Sequence, residues 1–411
     1  MPIITIFSGG FCNEAPVIDQ VVARTGYREI GDELIVAEAS RRCGIPENKI
    51  SRAFSTETSV FNKFTHEKER SIAFVKQVLA EMIAADDVVV TNFSGQLIPI
   101  SVSHALRICL IAPIKHRIEI ASRQESVSEK EAIRMVHRRE EDCSYWMKTI
   151  CQASDPWDPA CYDIVIPVDK TTIEEAADLV MGHVDTDVVK PTPESEQALK
   201  DFHIAAETEV ALALEGHHVD VSADRGVVTL TINKHVLMLN RLKEELKSIV
   251  EKIPGVESIE ITIGQGFHKT DIYRKHDFKM PSKILLVDDE REYVQTLSER
   301  LLMREMGSAV AYDGQSALNL IHKDDPEVII VDLKMPGIDG FDVLRKVKES
   351  RPDIEVIILT GHGNDADGRR CMEMGAFAYL QKPLDINELS ETIKAANEKI
   401  RQRKAEIDSR E

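Results

Sequence analysis

Ile284-Leu285-Leu286-Val287-Asp288-Asp289-Glu290, at the head of the stretch Lys283 to Pro383, decides how this chain is read. Four apolar residues stop abruptly at three acids. A second run, Val328-Ile329-Ile330-Val331, stops at Asp332-Leu333-Lys334-Met335-Pro336-Gly337. A third, Val356-Ile357-Ile358-Leu359, stops at Thr360-Gly361, and Ala378-Tyr379-Leu380 leads to Lys382-Pro383. Between them Val294/Leu297/Leu301 and Val343/Leu344/Val347 recur at helical spacing. Short, wholly apolar strands alternating with amphipathic helices predict a parallel sheet covered on both faces. Ligands of such sheets bind beyond the carboxyl ends of the strands. Every polar residue quoted falls at such an end.

The 411 residues exceed one ordinary domain. The net charge of −19 argues against a broad nucleic-acid-binding face, which needs clustered Lys and Arg. Met1-Pro2 leads straight into the strand Ile3–Phe7 without a signal peptide, and no apolar run reaches the ~20 residues that span a bilayer. Seven cysteines without a C-x-x-C pair fit reduced thiols, so the expected compartment is the cytoplasm. Cys143, Cys151 and Cys161, near His137, are too irregularly spaced for a metal site and read as buried thiols.

Residues 282–401 resemble a response-regulator receiver domain, with all its signature positions filled. The implied fold is a flavodoxin-like (βα)5 sheet. The resemblance makes Asp332 the nucleophile that accepts a phosphoryl group, and Asp288, Asp289, Asp332 and the carbonyl of Lys334 the magnesium ligands. Three converging carboxylates would repel one another without a cation, and magnesium suits an open site of carboxylates, waters and phosphate oxygens. Lys382 and Thr360 are implied to neutralise and hydrogen-bond the transferred group, and Tyr379 to turn in behind Thr360 as the switch. The implied donor is a sensor histidine kinase or phosphotransfer protein. Receivers of this family commonly pair through the face around Tyr379, so a homodimer is compatible. Lys382-Pro383 resembles the family's cis-peptide site. His362, past Thr360, reads as a loop residue.

Segment 1–185 reads as α/β, with strands at Ile3–Phe7, Val88–Val90, Ile108–Ala112 and Ile164–Val168. Ser8-Gly9-Gly10 stands between strand and helix, where backbone N–H groups can cradle a phosphate. With Ala23-Arg24-Thr25-Gly26-Tyr27, Asp32-Glu33-Leu34-Ile35, Ala112-Pro113, Arg117 and Tyr162–Ile166, the segment resembles the cytidylate kinase-like P-loop family. That resemblance implies nucleotide binding at Ser8, Gly9, Gly10 and Arg117. The loop, however, continues Phe11-Cys12-Asn13-Glu14, with no Lys and with a carboxylate. Thr91–Ser94 stands where that family tends to carry Gly-Arg, and the order Arg139-Glu140-Glu141-Asp142-Cys143-Ser144-Tyr145-Trp146 puts acids where a lid arginine is expected. Phosphoryl transfer depends on such positive charge, so the expectation is a degenerate kinase fold that binds or scaffolds. A working cytidylate-type kinase gated by the receiver is the alternative.

Lys190–Ser195 reads as a linker, because two prolines preclude a helix across it. Residues 196–265 form a small α+β pattern: a helix over Leu199–Leu214, Val219–Val221, a turn at Asp224-Arg225-Gly226, Val227–Ile232, a second helix and Val256–Ile263. This pattern resembles the BON family, whose members bind at envelopes or bind small ligands. His217 and His218 show no catalytic partners. Gln265–Pro281 reads as a second linker, and Arg401–Glu411 as a frayed continuation of the last helix.

Overall fold

The computed structural model describes residues 2–85, 87–153, 155–236, 238–268, 283–361 and 365–408. The first sheet comprises β1 (Ile3–Ser8), β2 (Arg28–Ile30), β3 (Val88–Thr91), β4 (Ala105–Ile111) and β5 (Ile164–Pro167). All its pairings are parallel, in the order β2-β3-β1-β4-β5, which fits a P-loop-like fold. Strand β1 is central and wholly buried, and its residues serve two cores by turns. Ile3 and Phe7 pack on one face with Val75, Leu79 and Trp146, while Ile4 and Ile6 pack on the other with Val17, Val21 and Val180. That period of two is why the strand reads as a continuous apolar run. Sequence reading passed over β2, because Arg28 and Glu29 are exposed and only Ile30 is buried.

The middle segment forms a three-stranded sheet, β6 (Asp220–Asp224), β7 (Val227–Ile232) and β8 (Ser258–Ile263), in that order. The first pair is antiparallel and the second parallel. Val228, Leu230 and Ile232 of β7 face the helix Leu239–Val250 through Leu242, Leu246 and Val250. The hairpin turn is Arg225-Gly226, with φ of 50° and 76°, as a two-residue loop matched to strand twist requires. Asp201 holds this turn: its carboxylate accepts from Arg225 N at 2.8 Å and Gly226 N at 3.1 Å, and it is only 5% exposed. Asp201→Ala strands both N–H groups, so we expect a loss of roughly 3 kcal/mol in chemical denaturation, with Asp201→Asn in between.

The first linker requires correction. Pro193 does not interrupt a helix but starts one, Pro193–Leu214, with the Thr192 hydroxyl accepting from Ser195 N at 3.2 Å. Proline is tolerated at the first helical position, where its missing N–H would have no intrahelical partner. Glu194 and Ser195 are therefore helical, and the helix begins six residues earlier than Leu199. Most of the second linker lies outside the described residues. His217 is buried, not isolated, and its Nε2 lies 3.4 Å from Glu245.

The C-terminal sheet comprises β9 (Ile284–Val287), β10 (Ser308–Ala311), β11 (Val328–Asp332), β12 (Glu355–Thr360) and β13 (Ala378–Gln381). Its pairings are all parallel, in the order β10-β9-β11-β12-β13. Leu285 and Val287 enter one core with Val343 and Leu344, and Ile284 and Leu286 the other with Leu389 and Ile393. The order is that of flavodoxin-like sheets, with the winding reversing between β9 and β11. Strand β10, built from Ser-Ala-Val-Ala, carries too little apolar bulk to stand out in the sequence. The last helix runs continuously from Ile386 to Asp408.

The described residues fall into two compact units. One holds the chain up to Thr58 and again from Glu67 through the middle segment, and the other joins Ser59–His66 to the C-terminal segment. Among the described residues no helix is long and apolar enough to cross a membrane.

Candidate functional site

Strands β9 and β11 end side by side, because Ile330 pairs with Leu286 and Val331 with Val287. The next residues, Asp288 and Asp332, are thereby placed at one rim. Oxygens of Asp288, Asp289 and Asp332 lie within 4.8 Å of one another. Asp288 is 3% exposed and Asp332 7%, while Asp289 is open to solvent. Lys382, beyond β13, places its ammonium 2.7 Å from Asp288 Oδ2 and 3.7 Å from Asp332 Oδ1. Burial pushes the Asp332 carboxyl up from its ordinary value; Lys382 pulls it down, and Asp288 adds to the rise. Asp288 also accepts from Glu290 N at 2.9 Å, tying the loop after β9. Asp332 Oδ1, in contrast, is buried without a hydrogen-bond partner among the described residues.

Gly340 lets the loop after Asp332 close. A Cβ there would overlap the Asp332 carbonyl and approach Leu333 Cα to 2.7 Å, and Gly340 N donates to Leu333 O at 3.1 Å. Thr360 ends β12 and is buried; its carbonyl accepts from Lys382 N at 2.8 Å. Tyr379 lies on β13 with its ring against Gly368 and its hydroxyl buried without a partner among the described residues. Lys334 is exposed, and the Lys382-Pro383 bond is cis. His362 lies outside the described residues. Tyr293, which sequence reading missed, holds its ring 4.4 Å from the Lys382 ammonium. Only its helical spacing ahead of Val294 placed it nearby.

At the other candidate site, Ser8-Gly9-Gly10 does follow β1, but the chain fills its own loop. Arg117, 3% exposed, donates from Nε to Gly10 O at 2.9 Å and from a terminal nitrogen to Gly9 O. Its other terminal nitrogen meets Glu140 Oε1 at 2.8 Å. The Ser8 hydroxyl accepts from Gly10 N at 3.0 Å, and the Glu14 carboxylate accepts from Cys12 N at 3.0 Å. Two loop N–H groups of the kind a phosphate would take are thus satisfied internally. Phe11 and Asn13 sit at φ of 56° and 54°, a costly region for side-chain-bearing residues. Arg139 stacks 4.1 Å over the Phe93 ring and closes on Gly10, where a Cβ would come within 2.8 Å of it. Arg138 pairs with Glu57 at 2.8 Å, and Arg123 faces Glu119 at 3.7 Å. The sequence signalled Glu14 as an intruding acid, but nothing in it placed Arg139, Phe93 or Trp157 against the loop.

Among the described residues no three cysteines come close enough together to hold a metal ion. Cys143 is buried, its thiol pushed up to about 11 by desolvation, whereas Cys151 is exposed. Among the described residues the three aspartates are the one group that could hold a metal ion.

Residues 284–394 match the family model of the response regulator receiver domain. This stretch is similar to response-regulator receiver domains. Residues 3–170 match the cytidylate kinase-like family. The receiver portion is 38% identical over 119 residues to "Probable transcriptional regulator ycf27" of Guillardia theta, covering 29% of this chain and 46% of that protein. It is 33% identical over 116 residues to "Response regulator MprA" of Mycolicibacterium vanbaalenii, covering 28% and 50%. The chain thus spans about half the length of these curated relatives. Among solved structures, a receiver domain protein from Clostridium thermocellum is 34% identical, covering 29% of this chain and 96% of that one at a TM-score of 0.28.

Proposed function

We propose that the chain is a response regulator of a two-component phosphorelay, accepting a phosphoryl group on Asp332 from a sensor histidine kinase or phosphotransfer protein. The observation that carries this reading is the buried Asp332 carboxylate, with one oxygen unpartnered among the described residues and Lys382 3.7 Å away. An Asp332 oxygen attacks the phosphorus of a phosphohistidine; the new P–O bond forms as the P–N bond breaks, and the imidazole departs. Lys382 shifts from Asp288 toward the added charge, and the Thr360 hydroxyl donates to a phosphoryl oxygen. Tyr379, whose hydroxyl lacks a partner among the described residues, follows Thr360 as the switch.

The three clustered carboxylates, with one orphaned oxygen, fit a hard divalent cation. Asp288, Asp289 and Asp332, with the Lys334 carbonyl, would hold magnesium. When bound, magnesium offsets negative charge that Lys382 alone leaves uncompensated.

The output is a degenerate kinase-like module joined to a BON-like one, acting in the cytoplasm by binding a partner or small ligand. The self-filled glycine loop supports binding or scaffolding over the alternative, an active cytidylate-type kinase. Incubating the full chain with CMP, ATP and magnesium is expected to give no CDP above background; clear turnover would overturn the degenerate reading. The receiver reading is tested with acetyl phosphate and magnesium. Formation of an acid-stable, hydroxylamine-labile phosphoprotein supports it, and failure to label sinks it.

A further inference from the structure

The segment Ser59–His66 lies, by sequence, inside the kinase-like match, yet it belongs with the receiver in the folded chain. Phe61 is 0% exposed and sits in the receiver core with Leu285 and Val287 of β9, Ala309 and Ala311 of β10, and Ile321. Strand β9 is the one that delivers Asp288. A short helix, Asn62–Thr65, follows and lays the Phe64 ring directly on Gly307, the residue before β10. Any side chain at 307 would overlap that ring.

The residues flanking this segment grip the helix Glu129–Ile150. Thr56 N donates to Asp142 at 2.9 Å, Glu57 pairs with Arg138 at 2.8 Å, and the Lys68 ammonium lies 4.2 Å over the Tyr145 ring. Arg138, Asp142 and Tyr145 are spaced as one helix face. Residues next to them on the same helix, Arg139 and Glu140, are those that reach Gly10 and Arg117 at the glycine loop.

We infer that Ser59–His66 couples the receiver to the glycine loop: the occupancy of Asp332 sets the seating of Phe61 between β9 and β10, and the flanks transmit that setting through the helix Glu129–Ile150 to Arg139, Glu140 and Arg117. The inference rests on the receiver reading and names what that receiver regulates. Two rigid features make transmission physical: a close-packed core responds to small shifts by changing arrangement, and a helix moves as a body.

The chain supplies its own reporter. Its two tryptophans are Trp146, whose Nε1 donates to Phe93 O at 3.0 Å, and Trp157, beside Gly9 and Arg117. The receiver has none, so tryptophan emission reads the kinase-like segment, Trp157 at the loop and Trp146 on the helix Glu129–Ile150. The full chain is treated with acetyl phosphate and magnesium, following emission and Asp332 phosphorylation in the same sample. The expected result is an emission change in step with phosphorylation in the wild type, lost in Phe61→Ala and in Gly307→Ala while the acyl phosphate still forms. Phosphorylation without an emission change in the wild type overturns the coupling and leaves the receiver reading standing. Variants that keep the full change overturn it too. If both variants lose phosphorylation itself, Ser59–His66 is only a structural part of the receiver, and the inference falls. If the wild type does not phosphorylate, the receiver reading fails first.

Discussion

Asp332→Asn is expected to abolish labelling by acetyl phosphate altogether and to remove any response to beryllofluoride with magnesium. The amide is nearly isosteric, so the sheet should fold unchanged, which hydrogen exchange along β11 checks. What disappears is the nucleophile: a neutral amide oxygen does not form an acyl phosphate under these conditions. Burial is the main cost to the native carboxylate; Lys382 outweighs the repulsion from Asp288 but does not cancel that burial. Removing one charge should leave the apo protein as stable or slightly more so. Full loss of labelling with unchanged or raised stability is therefore the signature. Residual labelling at another carboxylate, found by borohydride trapping and mass spectrometry, would show that the acceptor has been misassigned.

Glu355→Ala is expected to cause the largest loss of stability in the C-terminal unit. Glu355 begins β12 at 1% exposure, and its Oε1 meets Lys399 at 2.9 Å and Arg403 at 2.5 Å, both on the last helix. Lys348 approaches the other oxygen at 3.9 Å, and burial lowers that ammonium from its ordinary value. Breaking a buried pair by removing one partner costs about 3–5 kcal/mol. Lys399 and Arg403 are partly exposed and can turn to water, so the lower end applies, roughly 3 kcal/mol. In a unit of this size that amounts to a drop of roughly 6–12 °C in the unfolding midpoint. Lys399→Met alone should cost under about 1 kcal/mol, because Arg403 remains. Equal losses from the two substitutions would show that packing of the last helix, not the shared carboxylate, holds the edge.

The C-terminal fold was legible because its strands are buried on both faces. Ile284–Val287 and Val328–Val331 must be wholly apolar, and the acids where they stop are the rim itself. Strand β10 was silent, since its small residues leave room for Phe61, more than two hundred residues earlier in the chain. No local pattern carries that kind of partnership. The glycine loop was half legible. Glu14 stood out as a carboxylate in the loop, but Arg117 turning its donors onto the Gly9 and Gly10 carbonyls depends on how β1 and β4 bring distant turns together. Pro193 misled for a different reason. A proline forbids the interior of a helix and favours its first turn, and only the Thr192 cap distinguishes the two.

The threading of Ser59–His66 into the second unit bears on how this polypeptide comes to be folded during synthesis. Phe61 and Phe64 leave the ribosome long before β9 and β10 exist, a delay of tens of seconds at about 5–20 residues per second. Throughout that interval two bare aromatic rings stand on a nascent chain whose first sheet can already have closed. A gene cut between the middle and the C-terminal sheets would make that exposure permanent, and its upstream product should be sticky and dependent on chaperones, however well its own strands assemble.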